Sequence, residues 1–146
     1  MIKVDNRDAL AALERMDAAL GDFTPALNKV AKVIEDSIEK NFDAQGRPDK
    51  WKNLHSEWAE WKRKKGFATK VLQMTGTLKT SFKRLITKKR AFVYTEEPQA
   101  ARHNFGFETT PANPFLVLQP DEEQKIVNII ADHPLAKFES RAIVEK

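Results

Sequence analysis

The chain has 146 residues, no cysteine and a formal net charge of +4, with 41% hydrophobic and 32% charged residues. That length suits a single domain burying roughly two-thirds of its unfolded surface, and the missing thiols exclude disulfides, thiolate metal sites and a cysteine nucleophile. No apolar run approaches membrane-spanning length, and the opening MIKVDNRDAL is too acidic and too broken for a signal peptide.

Ile2–Val4 reads as a short strand or an arm. Asp5 or Asn6 offers a cap for a helix to about Leu20, with Leu10, Leu13, Met16 and Leu20 at helical spacing and Gly21 as its stop. Thr24-Pro25 restarts the chain, with a capping hydroxyl followed by proline at the first helical position. Phe23, Leu27, Val30, Ala31, Ile34, Ile38 and Phe42 then mark one face of a long amphipathic helix to about Phe42, the strongest periodic signal in the sequence.

Asp43–Lys50 is a turn cluster punctuated by Gly46 and Pro48. Trp51, Leu54, Trp58 and Trp61 follow at spacings of three, four and three, with Ser56 as cap of a helix Glu57–Lys65 and Gly66 as its stop. Core packing accounts for these tryptophans, and a subunit interface anchored by tryptophan is the functional alternative. Thr75 caps a short helix carrying Leu78 and Phe82. Leu85–Thr87 and Phe92–Thr95 read as strands joined by the basic turn Lys88-Lys89-Arg90, which lacks Gly or Asn and so needs a longer loop. Phe115–Leu118 reads as a further strand. Gln119-Pro120 opens a last helix to about Asp132, its first-turn acids Asp121, Glu122 and Glu123 favoured by the helix dipole. The expected architecture is α+β: N- and C-terminal helices packed on a small antiparallel sheet in one domain, residues 1–132, followed by a polar tail over 133–146.

The densest backbone constraint lies between Gln99 and Leu118. Gly106 can take positive φ after a helical turn, while Pro111 and Pro114 fix φ and hold Thr110 and Asn113 extended. Phe105, Phe107 and Phe115 add large apolar area around those fixed points. Such a stretch shapes a surface for contact, and its expected interface residues are Phe105, Gly106, Phe107, Pro111, Pro114 and Phe115. Charge is equally uneven. From Gln45 to Arg90 fourteen Lys/Arg stand against three acids, a net of +11, so the rest of the chain carries −7. The basic contact residues expected from this block are Lys62, Arg63, Lys64, Lys65, Lys88, Lys89 and Arg90. They fit a nucleic-acid footprint, complementary charge between copies in a ring, or a solvated Lys-rich surface.

Catalytic chemistry is hard to assemble. His55, His103 and His133 are far apart, and none pairs with another His or a carboxylate at metal-ligand spacing in an apolar setting. The five glycines are scattered singly, with no phosphate loop, and Ser56, Ser81 and Ser140 lack a nucleophile-elbow context. Glu96-Glu97 and Glu122-Glu123 read as strand-end and helix-start charge, not as a buried dyad. No catalytic, metal or cofactor residue is expected.

The order of motifs is more specific than any one of them. Asn41-Phe42 closes a long helix, then come Gly46-Arg47-Pro48-x-x-Trp51, a Lys-rich helix closed by Gly66, and Val71-Leu72-Gln73-x-Thr75-Gly76-x-Leu78-x-x-Ser81. After the hairpin follow Ala100-x-x-His103-x-Phe105-Gly106 and Pro111-Ala112-x-Pro114-Phe115-Leu116. Over roughly residues 30 to 130 this succession resembles the phage virion morphogenesis (tail completion) family of contractile-tailed Mu-like and related phages and prophages. The resemblance implies a small α+β structural protein with no cofactor and no reaction. It would act in a ring at the tail terminus or the head–tail junction, first in the host cytoplasm and then in the virion. Its implied partners are its own copies and tail-tube or head-connector proteins, with DNA passing the basic segments if these line a channel, and no membrane. The chain departs from the family pattern at Met74 and Thr77, where an acid and a base often flank Thr-Gly. Phe107 stands where a second glycine is common, offering an apolar contact instead, and Asn113 where Arg is frequent. The rival reading is a basic nucleic-acid-binding protein that uses Trp51, Trp58, Trp61 and the lysines of the 45–90 segment for stacking and charge.

Overall fold

The structure is a computed structural model that describes residues 7–144. Its elements run α1 (Arg7–Gly21), α2 (Thr24–Ala44), α3 (Ser56–Lys64), α4 (Thr77–Thr80), β1 (Lys83–Ile86), β2 (Ala91–Tyr94), α5 (Ala100–Phe105) and α6 (Pro120–Val144). The class is α+β, with α2 at the centre: α6 packs along it, the hairpin covers another part of it, and α1 leans on α6. The expected arm Ile2–Val4 and the cap at Asp5 or Asn6 lie outside the described residues.

Helix α2 forms because its apolar residues recur on one stripe, of which Leu27, Val30, Ala31, Ile38 and Phe42 are buried. Pro25 sits in the first turn, but the Thr24 hydroxyl does not cap; the Asp22 carboxylate accepts the Thr24 N–H at 2.9 Å instead. At the other end Gln45 takes the left-handed conformation (φ 56°), and the Gly46 N–H reaches back to the Asn41 carbonyl at 2.9 Å. A non-glycine residue is tolerated there because its amide side chain is fully used. Gln45 accepts the Val71 N–H at 2.6 Å and donates to the Phe42 carbonyl at 2.8 Å.

Phe42 is fully buried at the middle of the core, edge-on to Trp51 and stacked on Phe115, with ring centroids 5.4 Å away in both cases. Val71, Leu78 and Ala100 complete the cluster, and Phe82 meets Phe115 at 5.7 Å. The hairpin pairs Lys83 with Tyr94, Arg84 with Val93, Leu85 with Phe92 and Ile86 with Ala91, so both strands begin earlier than the sequence suggests. Thr87 closes the basic turn by exchanging hydrogen bonds with Arg90, and the Lys88 carbonyl accepts the Phe23 N–H at 2.8 Å. One face of the hairpin meets α2 through Arg84 on Glu35 and Val93 on the core; Leu85, Phe92 and Tyr94 on the other face are exposed.

Two expected features are corrected. Phe115–Leu118 is not a strand: the chain bends at Leu116 and pairs with no strand among the described residues, because side chains replace the ladder. Asn104 Oδ1 accepts the Phe115 and Leu116 N–H groups at 3.0 Å, and Asn41 Nδ2 donates to the Phe115 and Val117 carbonyls at 2.8 and 2.9 Å. The last helix does not stop near Asp132; it continues through Pro134 to Val144, so the segment read as a polar tail is helical as far as the described residues run. Proline removes one intrahelical bond there, while the preceding His133 is buried, its Nε2 2.9 Å from the Asp22 carbonyl and its ring against Phe23.

Gly46 has φ 105°, and a Cβ there would lie 2.4 Å from the Asp49 carbonyl and 2.6 Å from the Trp51 nitrogen. Gly66 has φ 75° with open space around it. Gly66→Ala should therefore cost about 1–2 kcal/mol of conformational strain, whereas Gly46→Ala, colliding with backbone, should cost at least about 3 kcal/mol. Denaturant unfolding of the two variants checks the difference; equal losses would mean that Trp51 and its loop are not tightly seated.

Candidate functional site

Beneath the surface, four polar side chains converge. Arg47, in the loop after α2, donates from Nε to Asn41 Oδ1 at 2.8 Å, from Nη2 to Ser37 Oγ at 3.0 Å, and from Nη1 to Glu122 Oε1 at 3.1 Å. Ser37 Oγ donates to Glu122 Oε2 at 2.5 Å, and the Gln119 N–H to the same oxygen at 3.0 Å. Glu122 thus reaches back to the residue just before α6 begins, the carboxylate half of a capping box, while Lys40 stands 3.6 Å off. Burial alone pushes this carboxyl up, but the hydrogen bonds from Ser37, Gln119 and Arg47 and the Arg47 charge outweigh it and hold it at about 2. A carboxylate so occupied is a structural ion, not an acid or base available near neutral pH. It pins α2, the 45–51 loop, the 115–118 segment and the start of α6 together.

Above this knot sits the expected contact turn. Phe107 and Thr110 exchange backbone hydrogen bonds of 3.1 and 2.8 Å across a tight turn, in which Glu108 takes φ 50°. Gly106, with φ 76°, lets the backbone of Thr110 and Ala112 approach; a Cβ would lie 3.0 Å from the Ala112 nitrogen. The Asn113 N–H donates to the His103 carbonyl at 2.7 Å and closes the turn onto α5. The side chains then divide. Phe105 is 75% exposed and Phe107 54%, the latter with the Arg102 guanidinium 5.1 Å above its ring. Pro111 is exposed, and Gly106 and Pro114 are half-buried. Phe115 is a core residue with no exposed surface, and Trp51 Nε1 donates to the Pro114 carbonyl at 3.0 Å. It supports the turn from below and cannot touch a partner.

The basic residues divide as well. Lys62 is buried and its Nζ donates to the Lys70 carbonyl at 2.9 Å, with burial lowering its pKa, so it is a strut for α3. Arg63, Lys64, Lys65, Lys88, Lys89 and Arg90 are exposed, Lys64 within 3.1 Å of Glu60. Helix α3 carries a second surprise for the sequence reading. Only Trp51 of the three tryptophans enters the core; Trp58 and Trp61 are 46% and 38% exposed, stacked in parallel with centroids 4.6 Å apart, and Phe67 continues the stack.

Between α3, the Val71–Leu78 segment and α5 lies a groove of about 530 Å³. Leu54, Trp58, Leu72 and Met74 give it apolar walls, and Lys52 lies at its rim. Its lining contains His55 and His103 but no Asp or Glu, so a His–carboxylate dyad has only one half there. Burial, and secondarily Arg102, lowers the His103 pKa and favours its neutral form. Among the described residues no cluster of His, Asp and Glu is placed to hold a metal ion, and no helix is long and apolar enough to cross a membrane.

The profile of the phage virion morphogenesis family matches residues 4–134. The chain is 31% identical over 140 residues to Mu-like prophage FluMu G protein 2 of Haemophilus influenzae (strain ATCC 51907 / DSM 11121 / KW20 / Rd), covering 90% of this chain and 94% of that protein. To Mu-like prophage FluMu G protein 1 of the same strain it is 30% identical over 117 residues, covering 77% of this chain and 80% of that protein. No solved structure matches it.

The Glu122 geometry fixes a pH dependence. Its folded pKa of about 2 lies below the ordinary 4.5, so its stabilisation is fully present above pH 4.5 and is lost as pH falls toward 2. The loss should approach about 3 kcal/mol. Glu122→Gln should be less stable at pH 7 and should lose less than the parent across that acid range, which unfolding free energies at a series of pH values would show.

Proposed function

The chain belongs to the phage virion morphogenesis family, and on that premise we propose that it completes the phage tail, or joins tail to head, as a non-enzymatic subunit of a ring. The observation that carries this reading is the pair Phe105 and Phe107, held in water on a turn whose backbone is fixed by Gly106, the Phe107–Thr110 bridge and Asn113. Large apolar side chains on a stiff, exposed turn favour docking, because little conformational freedom remains to be lost. A ring needs two different complementary faces on each copy. The exposed basic residues of α3 and of the hairpin turn, with acids such as Asp121 and Glu123 at the start of α6, supply opposite charges for such faces. In this reading the protein assembles in the host cytoplasm and remains in the virion, against its own copies and a tail-tube or head-connector protein.

A second reading has its own observation. The exposed Trp58–Trp61 stack beside Arg63, Lys64 and Lys65 is the kind of surface on which exposed bases stack. Nucleic-acid binding would weaken log-linearly as salt rises. A ring would form a discrete larger species without nucleic acid.

Phe105→Ser combined with Phe107→Ser should abolish that larger species, measured by solution mass, while leaving the unfolding free energy within about 0.5 kcal/mol of the parent. Wild-type assembly by this variant would remove the proposed contact. Phe115→Ala should instead cost about 3–5 kcal/mol of stability, as a core truncation does. Reversing the charge at Lys88, Lys89 and Arg90 should weaken partner docking with the fold intact; an unchanged assembly profile would leave these residues a solvated surface.

A further inference from the structure

The turn and the groove are two sides of one segment. His103, Thr110, Pro111 and Asn113 line the groove, whereas Phe105, Phe107 and Glu108 do not. The same rigid stretch therefore presents on one side a projection with two phenylalanines and one acid, Arg102 lying over the Phe107 ring, and elsewhere helps wall an apolar recess free of carboxylates. The recess has an exposed lysine, Lys52, and an aromatic wall in Trp58, which is stacked on Trp61 and 46% exposed.

We propose that this groove receives the Phe105–Glu108 turn of a second copy, with the phenylalanines against Leu72, Met74 and Trp58 and with Glu108 facing Lys52. This inference rests on the ring reading and specifies its contact. The occupant is a second copy because polarity and charge match: a turn with two exposed phenylalanines and an acid meets a carboxylate-free apolar groove bearing a lysine. Projection and recess are different surfaces of the same chain, so a copy that gives its turn to one neighbour and its groove to another makes a heterologous contact. Repetition then carries the assembly from copy to copy, and rotation closes it into a ring.

The chain contains no cysteine, which makes the test direct. Full-length Glu108→Cys and Met74→Cys proteins are mixed under mild oxidation, with Lys29→Cys on the exposed surface of α2 as the control for Glu108→Cys. The seated contact raises the local thiol concentration, so the 108–74 heterodimer should form on the order of tenfold faster than the 29–74 product. In the otherwise native chain Lys52→Glu should weaken assembly, and adding Glu108→Lys should restore it. Equal cross-linking rates overturn the inference. If the Phe105/Phe107 double variant still abolishes assembly in that case, the ring reading stands with the turn seated elsewhere. If that variant also assembles normally, both fail. Equal rates together with single-stranded DNA binding that Trp58→Ala removes would make the groove a nucleic-acid site and would also overturn it.

Discussion

The Arg47–Glu122 ion pair, sealed by Ser37 and Asn41, is the constraint on which the other features depend. Removing two charges from water is offset only when the remaining lone pairs and protons are also satisfied. Here nearly every one is: Arg47 reaches an amide, a hydroxyl, a main-chain carbonyl and the carboxylate, and Glu122 accepts from a hydroxyl, a main-chain N–H and the guanidinium. The network ties together parts of the chain more than seventy residues apart. Without it the 115–118 segment, which has no strand partner, would lose the frame that places its carbonyls over Asn41. Phe115 would then leave its place between Phe42 and Phe82, and the turn above it would lose its footing.

Much of this was legible in the sequence where periodicity or backbone chemistry speaks. The stripe from Leu27 to Phe42, the stop at Gly66, the hairpin, the α+β class and the order of motifs are all present in the structure. The misreadings have specific causes. Phe115–Leu118 is apolar throughout, as a buried strand is, and nothing local reveals that asparagine side chains take over its ladder. Pro134 signals a helix end locally, but the neighbouring His133 is anchored to the corner between α1 and α2. Trp58 and Trp61 sit at core spacing on a helix with little core to enter.

The polar knot was half visible. Ser37 and Asn41 interrupt the apolar face of α2, and polar residues in a buried stripe must find partners. Glu122 stands three residues after the helix-entry position, where a carboxylate reaches back to the chain. The pattern could thus have marked Ser37, Asn41 and Glu122 as buried and bonded, but not as bonded to one another through Arg47. The motif Gly46-Arg47-Pro48-x-x-Trp51 now has a physical reading: glycine admits the close turn, arginine fills the knot, and tryptophan closes the core while gripping the Pro114 carbonyl.

Helix α3 differs from its neighbours in how it is held. Lys62 alone is buried along its nine residues, and among the described residues no other helix or strand packs on it as α6 packs on α2. Segments with few buried contacts open at low free energy, so its amides should exchange with solvent well before those of α2. In the proposed assembly a neighbour's turn entering the groove would have to still this wall, so ordering α3 takes a share of the contact's free energy, and its amides should exchange more slowly in the assembled protein than in a single copy.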